Sequence, residues 1–137
     1  MPFRLKLLTP KGLVIDEEVD CAYFPSQKGP LGIFPDYDTT IFSLVPGVFK
    51  YSVSGNWHYF AIFGGACWVK KEETIAITEL LEDAKDIDLP RAKAAKERAL
   101  KAIEQGGGVK AFAEARAALN RAEARIGAKS LLTGEKK

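Results

Sequence analysis

The sequence predicts an α+β protein in two parts. An N-terminal all-β sandwich of about ten short strands covers residues 1–84, and an antiparallel α-helical hairpin covers residues 85–137. Three observations lead there. The first part alternates apolar and polar residues at the two-residue strand period, with turn signals between the runs. The second part repeats alanine every three or four residues. The charge changes sign at the same boundary. Residues 1–84 hold 7 Lys/Arg against 11 Asp/Glu, a balance of −4, and residues 85–137 hold 13 against 7, a balance of +6. A basic second part suits an acidic partner.

The strands come in order. Phe3, Leu5 and Leu7 alternate with Arg4 and Lys6, and Pro10-Lys11-Gly12 turns the chain. Leu13-Val14-Ile15 and Val19 to Phe24 read as two strands parted by the acidic Asp16-Glu17-Glu18. Gly29 to Asp36 reads as a short strand between loops. Gly47 to Val53, the hairpin loop Ser54-Gly55-Asn56 and Trp57 to Phe63 follow. Gly64-Gly65 allows a bulge or a close backbone approach. Ala66 to Val69 and Thr74 to Thr78 flank Lys70-Lys71-Glu72-Glu73 as the last hairpin. Phe3, Phe24, Phe49, Tyr51, Trp57, Tyr59, Phe63 and Trp68 suffice to fill a single core.

The second part starts at Asp86-Ile87-Asp88-Leu89-Pro90-Arg91-Ala92. Asp88 stands at a helix N-cap, with a carboxylate suited to orphan backbone N–H groups. Pro90 falls in the first turn, where its missing N–H costs little. One helix runs from about Leu89 to Gln105 and the next from about Val109 to Ile126, with Gly106-Gly107-Gly108 as the turn. Ala92, Ala95, Ala99 and Ala102 face Phe112, Ala115, Leu119, Ala122 and Ile126 across the seam. Leu131-Leu132 and the stretch from Thr133 to Lys137 read as a frayed end. Alanine buries little area, so the hairpin reads as a detachable arm on a rigid base.

Arg91 and Arg98 project from one side of the first helix, and Arg121 and Arg125 flank the seam of the second. Closing the hairpin brings four guanidiniums toward Asp88, a set suited to phosphate oxygens. There is no GxxxxGK[ST] element, so such a site binds a nucleotide without the parts to hydrolyse it. Two other readings stand beside this one. The arginines can form a solvated face paired with Glu97, Glu104, Glu114 and Glu123. A basic helical arm can also bind nucleic acid, although the interleaved glutamates count against it.

Other classes find little support. His58 has no nucleophile or acid patterned around it, which gives no basis for catalysis. Cys21 and Cys67 lack metal spacing and read as buried thiols. No run approaches the ~18 apolar residues of a membrane span. The alternating start, Met1 to Lys6, lacks a signal-peptide apolar run, so the chain reads as unexported.

Four segments in order resemble a known family, the epsilon subunits of bacterial F-type ATP synthases. Phe3 to Gly12 is similar to that family's opening strand and TP-x-G turn. Gly29-Pro30-Leu31-Gly32-Ile33-Phe34-Pro35 resembles its GELGILPGHAP stretch. Gly64-Gly65 is similar to its SGGFLEV hairpin, and Ile87-Asp88-Leu89-Pro90-Arg91-Ala92 to its I/L-D-x-x-R-A nucleotide motif.

The resemblance implies a non-catalytic rotor subunit at the cytoplasmic face of the bacterial plasma membrane, peripheral and held there only through the complex. Its partners would be the gamma subunit, the c-subunit ring and the catalytic beta subunit. Its helices would move between a docked state and an extended state that blocks ATP hydrolysis. The resemblance requires no cofactor or metal; ATP enters as a regulatory ligand. Carried over, the ATP site comprises Glu82, Ile87, Asp88, Arg91, Ala92, Arg98, Arg121 and Arg125. The c-ring contact falls at Pro30, Asp36 and Tyr37. There the chain departs from the family, with Pro30 for the acid of GELG and Asp36-Tyr37 for GH. Glu114 stands where ATP-binding relatives often carry a basic residue. A free-standing nucleotide-binding regulator without a rotary partner is the rival reading.

Overall fold

Alternating apolar residues make the first strand, and its inward set is buried: Phe3, Leu5 and Leu7 all face the core. The computed structural model describes residues 2–134. It contains eight strands: β1 (Phe3–Thr9), β2 (Gly12–Val19), β3 (Cys21–Ser26), β4 (Gly29–Ile33), β5 (Thr40–Val53), β6 (Asn56–Val69), β7 (Glu73–Ile77) and β8 (Leu81–Asp83). A 3-10 turn at Ala84–Asp86 leads to α1 (Leu89–Gln105) and α2 (Gly108–Thr133).

Eight strands stand where about ten were expected: Trp57 to Phe63 and Ala66 to Val69 fuse into β6, β5 begins earlier, at Thr40, and β8 adds a short strand. β5 and β6 are each 14 residues long and pair in one register from Thr40↔Val69 to Val53↔Asn56, missing only the Val45/Gly64 position. Gly64-Gly65 does not end a strand and makes no bulge; the register passes straight through it. The glycines serve a close approach instead. A Cβ on Gly65 would collide with the Ile77 carbonyl oxygen, and its φ of 131° suits glycine. Beside it, the buried Thr78 hydroxyl donates to the Gly64 carbonyl at 2.6 Å. β2 likewise runs through the acidic triplet. An edge strand can hold charges that face outward, and two of these acids have partners. Arg4 Nε donates to Asp16 at 2.7 Å, which holds the Asp16 carboxyl below its ordinary range. The Tyr51 hydroxyl donates to Glu17 at 2.7 Å.

The strand order is β2-β1-β7-β6-β5-β3-β4, with β8 paired to β6; among the described residues only β1 and β7 run parallel. The long β5–β6 ribbon joins the layers of the sandwich. Its turn has positive φ at Ser54 and Gly55, as a two-residue hairpin loop requires. The main core contains Leu5, Leu7, Phe24, Ile33, Phe49 and Ile62, all essentially inaccessible. Each such side chain contributes roughly 1.5–3 kcal/mol on burial. Phe49 stacks between Phe24 and Phe60, with ring centroids 4.7 and 5.6 Å away. Both cysteines are buried, and burial pushes the Cys67 thiol up to about 12.

The aromatics do not share one core. Tyr59 and Phe63 lie on the outer face of β6, in a second cluster with Ala61, Ala84, Ile87, Ala124 and Ala128. Trp57 and Trp68 are exposed. The second cluster is where α2 lies on β5 and β6, and α1 in turn rests on α2. α2 extends past its expected end to Thr133 and is closed by Gly134 in the left-handed region, whose N–H donates to the Leu131 carbonyl. Leu132, expected to fray, packs on the second cluster. Glu135, Lys136 and Lys137 of that expectation lie outside the described residues. The interhelical seam buries Ala92, Ala99, Ala115, Leu119 and Ala122. Phe112, expected in it, is 52% exposed at the hairpin tip.

Candidate functional site

Two caps in tandem shape the passage from sandwich to hairpin. Asp83 Oδ1 accepts the Lys85 N–H at 2.9 Å and starts the 3-10 turn. Ile87 is extended and buried in the second cluster, which ties the start of α1 to the sheet. Asp88 then caps α1, its Oδ1 accepting the Arg91 N–H at 3.2 Å, with Pro90 in the first turn.

This corner frames a cleft of about 450 Å³, within the range of small-molecule sites. β8 supplies Glu82, and the bend supplies Asp86, Ile87 and Asp88. α1 contributes Arg91, Ala92, Ala95 and Arg98, and α2 contributes Arg125. Seven of the eight residues assigned by resemblance thus meet in one place. The eighth, Arg121, lines an adjoining groove of about 550 Å³ between the helices, which shares Ala95, Arg98 and Arg125 with the cleft. Glu114 lies in that groove as well.

The arginines are not equivalent. Arg125 is engaged: Nε and Nη2 grip Glu82 Oε1 and Oε2 at 2.8 and 2.9 Å. Its guanidinium carbon sits 4.9 Å from the Phe63 ring centroid. The hydrogen bonds it donates to Glu82 raise its pKa further still. Among the described residues, Arg91, Arg98 and Arg121 have no carboxylate within ion-pair distance. The solvated-face reading paired them with glutamates, but Glu123 pairs with Lys96 at 3.8 Å. Arg91 and Arg98 are exposed guanidiniums along one helix edge, and Ile87, Ala92 and Ala95 add apolar surface to the cleft. Such a site can hold an anion with an attached flat apolar group.

Sequence reasoning missed Asp86 and Ala95 as lining residues. Ala95 was within reach, since it stands four residues after Arg91 and three before Arg98 on the same helical face. No sequence signal pointed to Phe63 beneath Arg125.

Pro30, Asp36 and Tyr37 lie at the other candidate region. Pro30 is exposed in β4 opposite Pro25. Asp36, with φ of 65°, and Tyr37 line a shallow cleft formed by residues 34–40, of which Pro30 is not part. Tyr37 packs its ring on the main core. No helix of the described residues is long and apolar enough to cross a membrane.

A β-sandwich bearing an alanine-rich helical hairpin, with an arginine-edged cleft at their junction, defines a class of two-part sandwich-and-hairpin proteins. Residues 2–84 match the family described as ATP synthase, Delta/Epsilon chain, beta-sandwich domain, and residues 85–130 match its long alpha-helix domain. The chain belongs to the ATP synthase delta/epsilon chain family. It is 36% identical over 126 residues to the ATP synthase epsilon chain of Desulfitobacterium hafniense (strain Y51), covering 92% of this chain and 95% of that one. It is 34% identical over 123 residues to the epsilon chain of Nitratidesulfovibrio vulgaris (strain DP4), covering 90% and 92%. The fold is similar to a chain of the Euglena gracilis mitochondrial ATP synthase, in a structure of its OSCP/F1/c-ring, with a TM-score of 0.83 at 20% identity and coverage of 89% and 78%. A chain of the Tetrahymena thermophila mitochondrial ATP synthase central stalk/c-ring gives a TM-score of 0.68 at 16% identity, covering 94% and 97%.

Proposed function

We propose that this chain is a non-catalytic rotor subunit of an F-type ATP synthase. Its sandwich joins the gamma subunit to the c ring, with Pro30, Asp36 and Tyr37 at the ring. Its hairpin is a switch that inhibits ATP hydrolysis when it leaves the sandwich and meets the beta subunit, and ATP at the junction cleft favours the docked arrangement. The complex sits at the cytoplasmic face of the bacterial plasma membrane, and the chain is peripheral to it.

The observation that carries the switch is the pair of guanidiniums, Arg91 and Arg98, without an ion-pair partner among the described residues, at a cleft whose walls come from both the sandwich side and the hairpin. Two like charges along one edge attract a polyphosphate, and a ligand that binds only the docked state stabilises it by linkage. Arg121 extends the cationic surface into the groove. Ile87 and Ala92 offer apolar contact to a base, and Asp88 offers its second carboxylate oxygen. Glu82 and Arg125 form the wall against the sandwich.

Calorimetry with magnesium ATP tests the site. Arg91→Ala should weaken binding at least tenfold without lowering nucleotide-free stability, because Arg91 has no ion pair to lose; unchanged affinity removes the site. Asp88→Asn is the cleaner partner variant, since asparagine preserves the cap that alanine would destroy. Truncation after Lys85 should raise the ATPase activity of the reconstituted complex. Purification of tagged chain without gamma, beta or c subunits would favour the free-standing regulator.

A further inference from the structure

The fork between Glu82 and Arg125 has a place of its own in the fold. Among the described residues it is the only ion pair that joins the hairpin to the sandwich. It links β8 to α2 across 43 positions of sequence. Both nitrogen–oxygen distances are below 3.0 Å, so the planar guanidinium is fixed in orientation as well as position. Phe63 supports the guanidinium from below, and Phe63 is itself packed against the cluster under α2. Close by, Lys129 on α2 donates to the Lys85 carbonyl.

We propose that the Glu82–Arg125 fork is a ligand-independent latch holding α2 on the sandwich. This rests on the nucleotide-switch reading for its purpose, though not for its geometry. An arginine whose fork is filled by a carboxylate is a poor receptor for phosphate. Division of labour follows: Arg125 holds the docked helix, and Arg91 and Arg98 respond to the anion. The latch is about 29% exposed on both sides, so salt screens it and it can release. A hairpin resting on alanines alone would have little to set its docked position. A forked pair gives it one register, and Ile87 anchors the other end.

The test uses the full chain with one dye at Ser54→Cys on the sandwich and one at Arg116→Cys on α2. The native cysteines are buried and take no label under folding conditions. Without nucleotide, E82Q and R125Q should each raise the undocked fraction at least fivefold, and the double variant should do no more than either single one. The exchanged pair E82R/R125E should bring the docked fraction back toward wild type. Raising salt should undock wild type and leave E82Q nearly unmoved. Unchanged nucleotide-free distances in both single variants, or effects that simply add, would overturn the latch.

A second arm separates the latch from the nucleotide site. In E82Q, magnesium ATP affinity should fall only by the measured loss of docked fraction. A larger fall would make Glu82 a ligand contact and end the proposal. R91A should leave the nucleotide-free distances alone. Loss of the Arg91 effect on ATP would sink the nucleotide site while the latch stands, because the latch is read with no nucleotide present.

Discussion

The molecule has two apolar clusters built on opposite principles. Inside the sandwich, Phe24, Phe49, Leu5, Leu7 and Ile62 interlock and are shut off from water. Under α2, the helix contributes Ala124, Ala128 and Leu132 against Tyr59, Phe63 and Val48. The first cluster buries large side chains on both of its sides. The second sets small helical residues on a sheet, so the helix lies close but removes little apolar area from water. The contrast shows how one chain can carry a permanent part and a releasable part. The strength of each follows from side-chain size, and the polar latch of Glu82 and Arg125 gives the weak contact its register.

The contrast can be broken from either side. The largest effect is expected in the sandwich: Phe49→Ala should cost about 3–5 kcal/mol of global stability. Urea unfolding checks it, and a loss below 1 kcal/mol would mean that the core is far more plastic than its packing implies. Next comes Ala128→Leu, which inserts three carbons into a fully buried helix–sheet contact. Overpacking costs about 1–3 kcal/mol, and here it should fall on docking alone. Limited proteolysis should then cut the hairpin early while residues 1–84 stay resistant; equal resistance of both parts would contradict a separable hairpin. The smallest effect sharpens the comparison. Thr74 is buried in β7, and its hydroxyl is the one buried side-chain polar atom among the described residues with no hydrogen-bond partner. Thr74→Val should stabilise the sandwich by about 1 kcal/mol, seen as a higher melting temperature, with no change in hairpin docking. A lower melting temperature would point to a water that the hydroxyl holds.

What could be read in advance was local. The Asp88 cap, Pro90 in the first turn, the Ser54-Gly55 turn and the glycine joint each declare themselves within a few residues. Arg91 and Arg98 could be placed on one helical edge by counting. The rest depended on distant partners. β5 and β6 run on through Pro46 and Gly64-Gly65, residues that punctuate most sequences, because each strand has the other to pair with on both sides of the Val45/Gly64 position. β2 passes through three acids because Arg4 and Tyr51 meet two of them. The end of α2 was misread as frayed, although Ala124, Ala128 and Leu132 follow the four-residue rhythm and Gly134 supplies a stop signal. Those alanines gain meaning only from Tyr59 and Phe63 on the sheet. The candidate site was legible as a set of residues but not as a division of labour. Four equivalent arginines were expected; Arg125 is held by Glu82, and nothing near Arg125 in the sequence marks that partner.

Native-state hydrogen exchange on the isolated full chain, with and without magnesium ATP, measures both parts together. The amides of α1 and α2 should open with a lower free energy than those of β1, β5 and β6, and magnesium ATP should slow exchange in the helices while leaving the sandwich core unchanged. One common opening free energy for helices and core strands, unmoved by millimolar nucleotide, would contradict a hairpin that leaves its sandwich and is kept there by ligand.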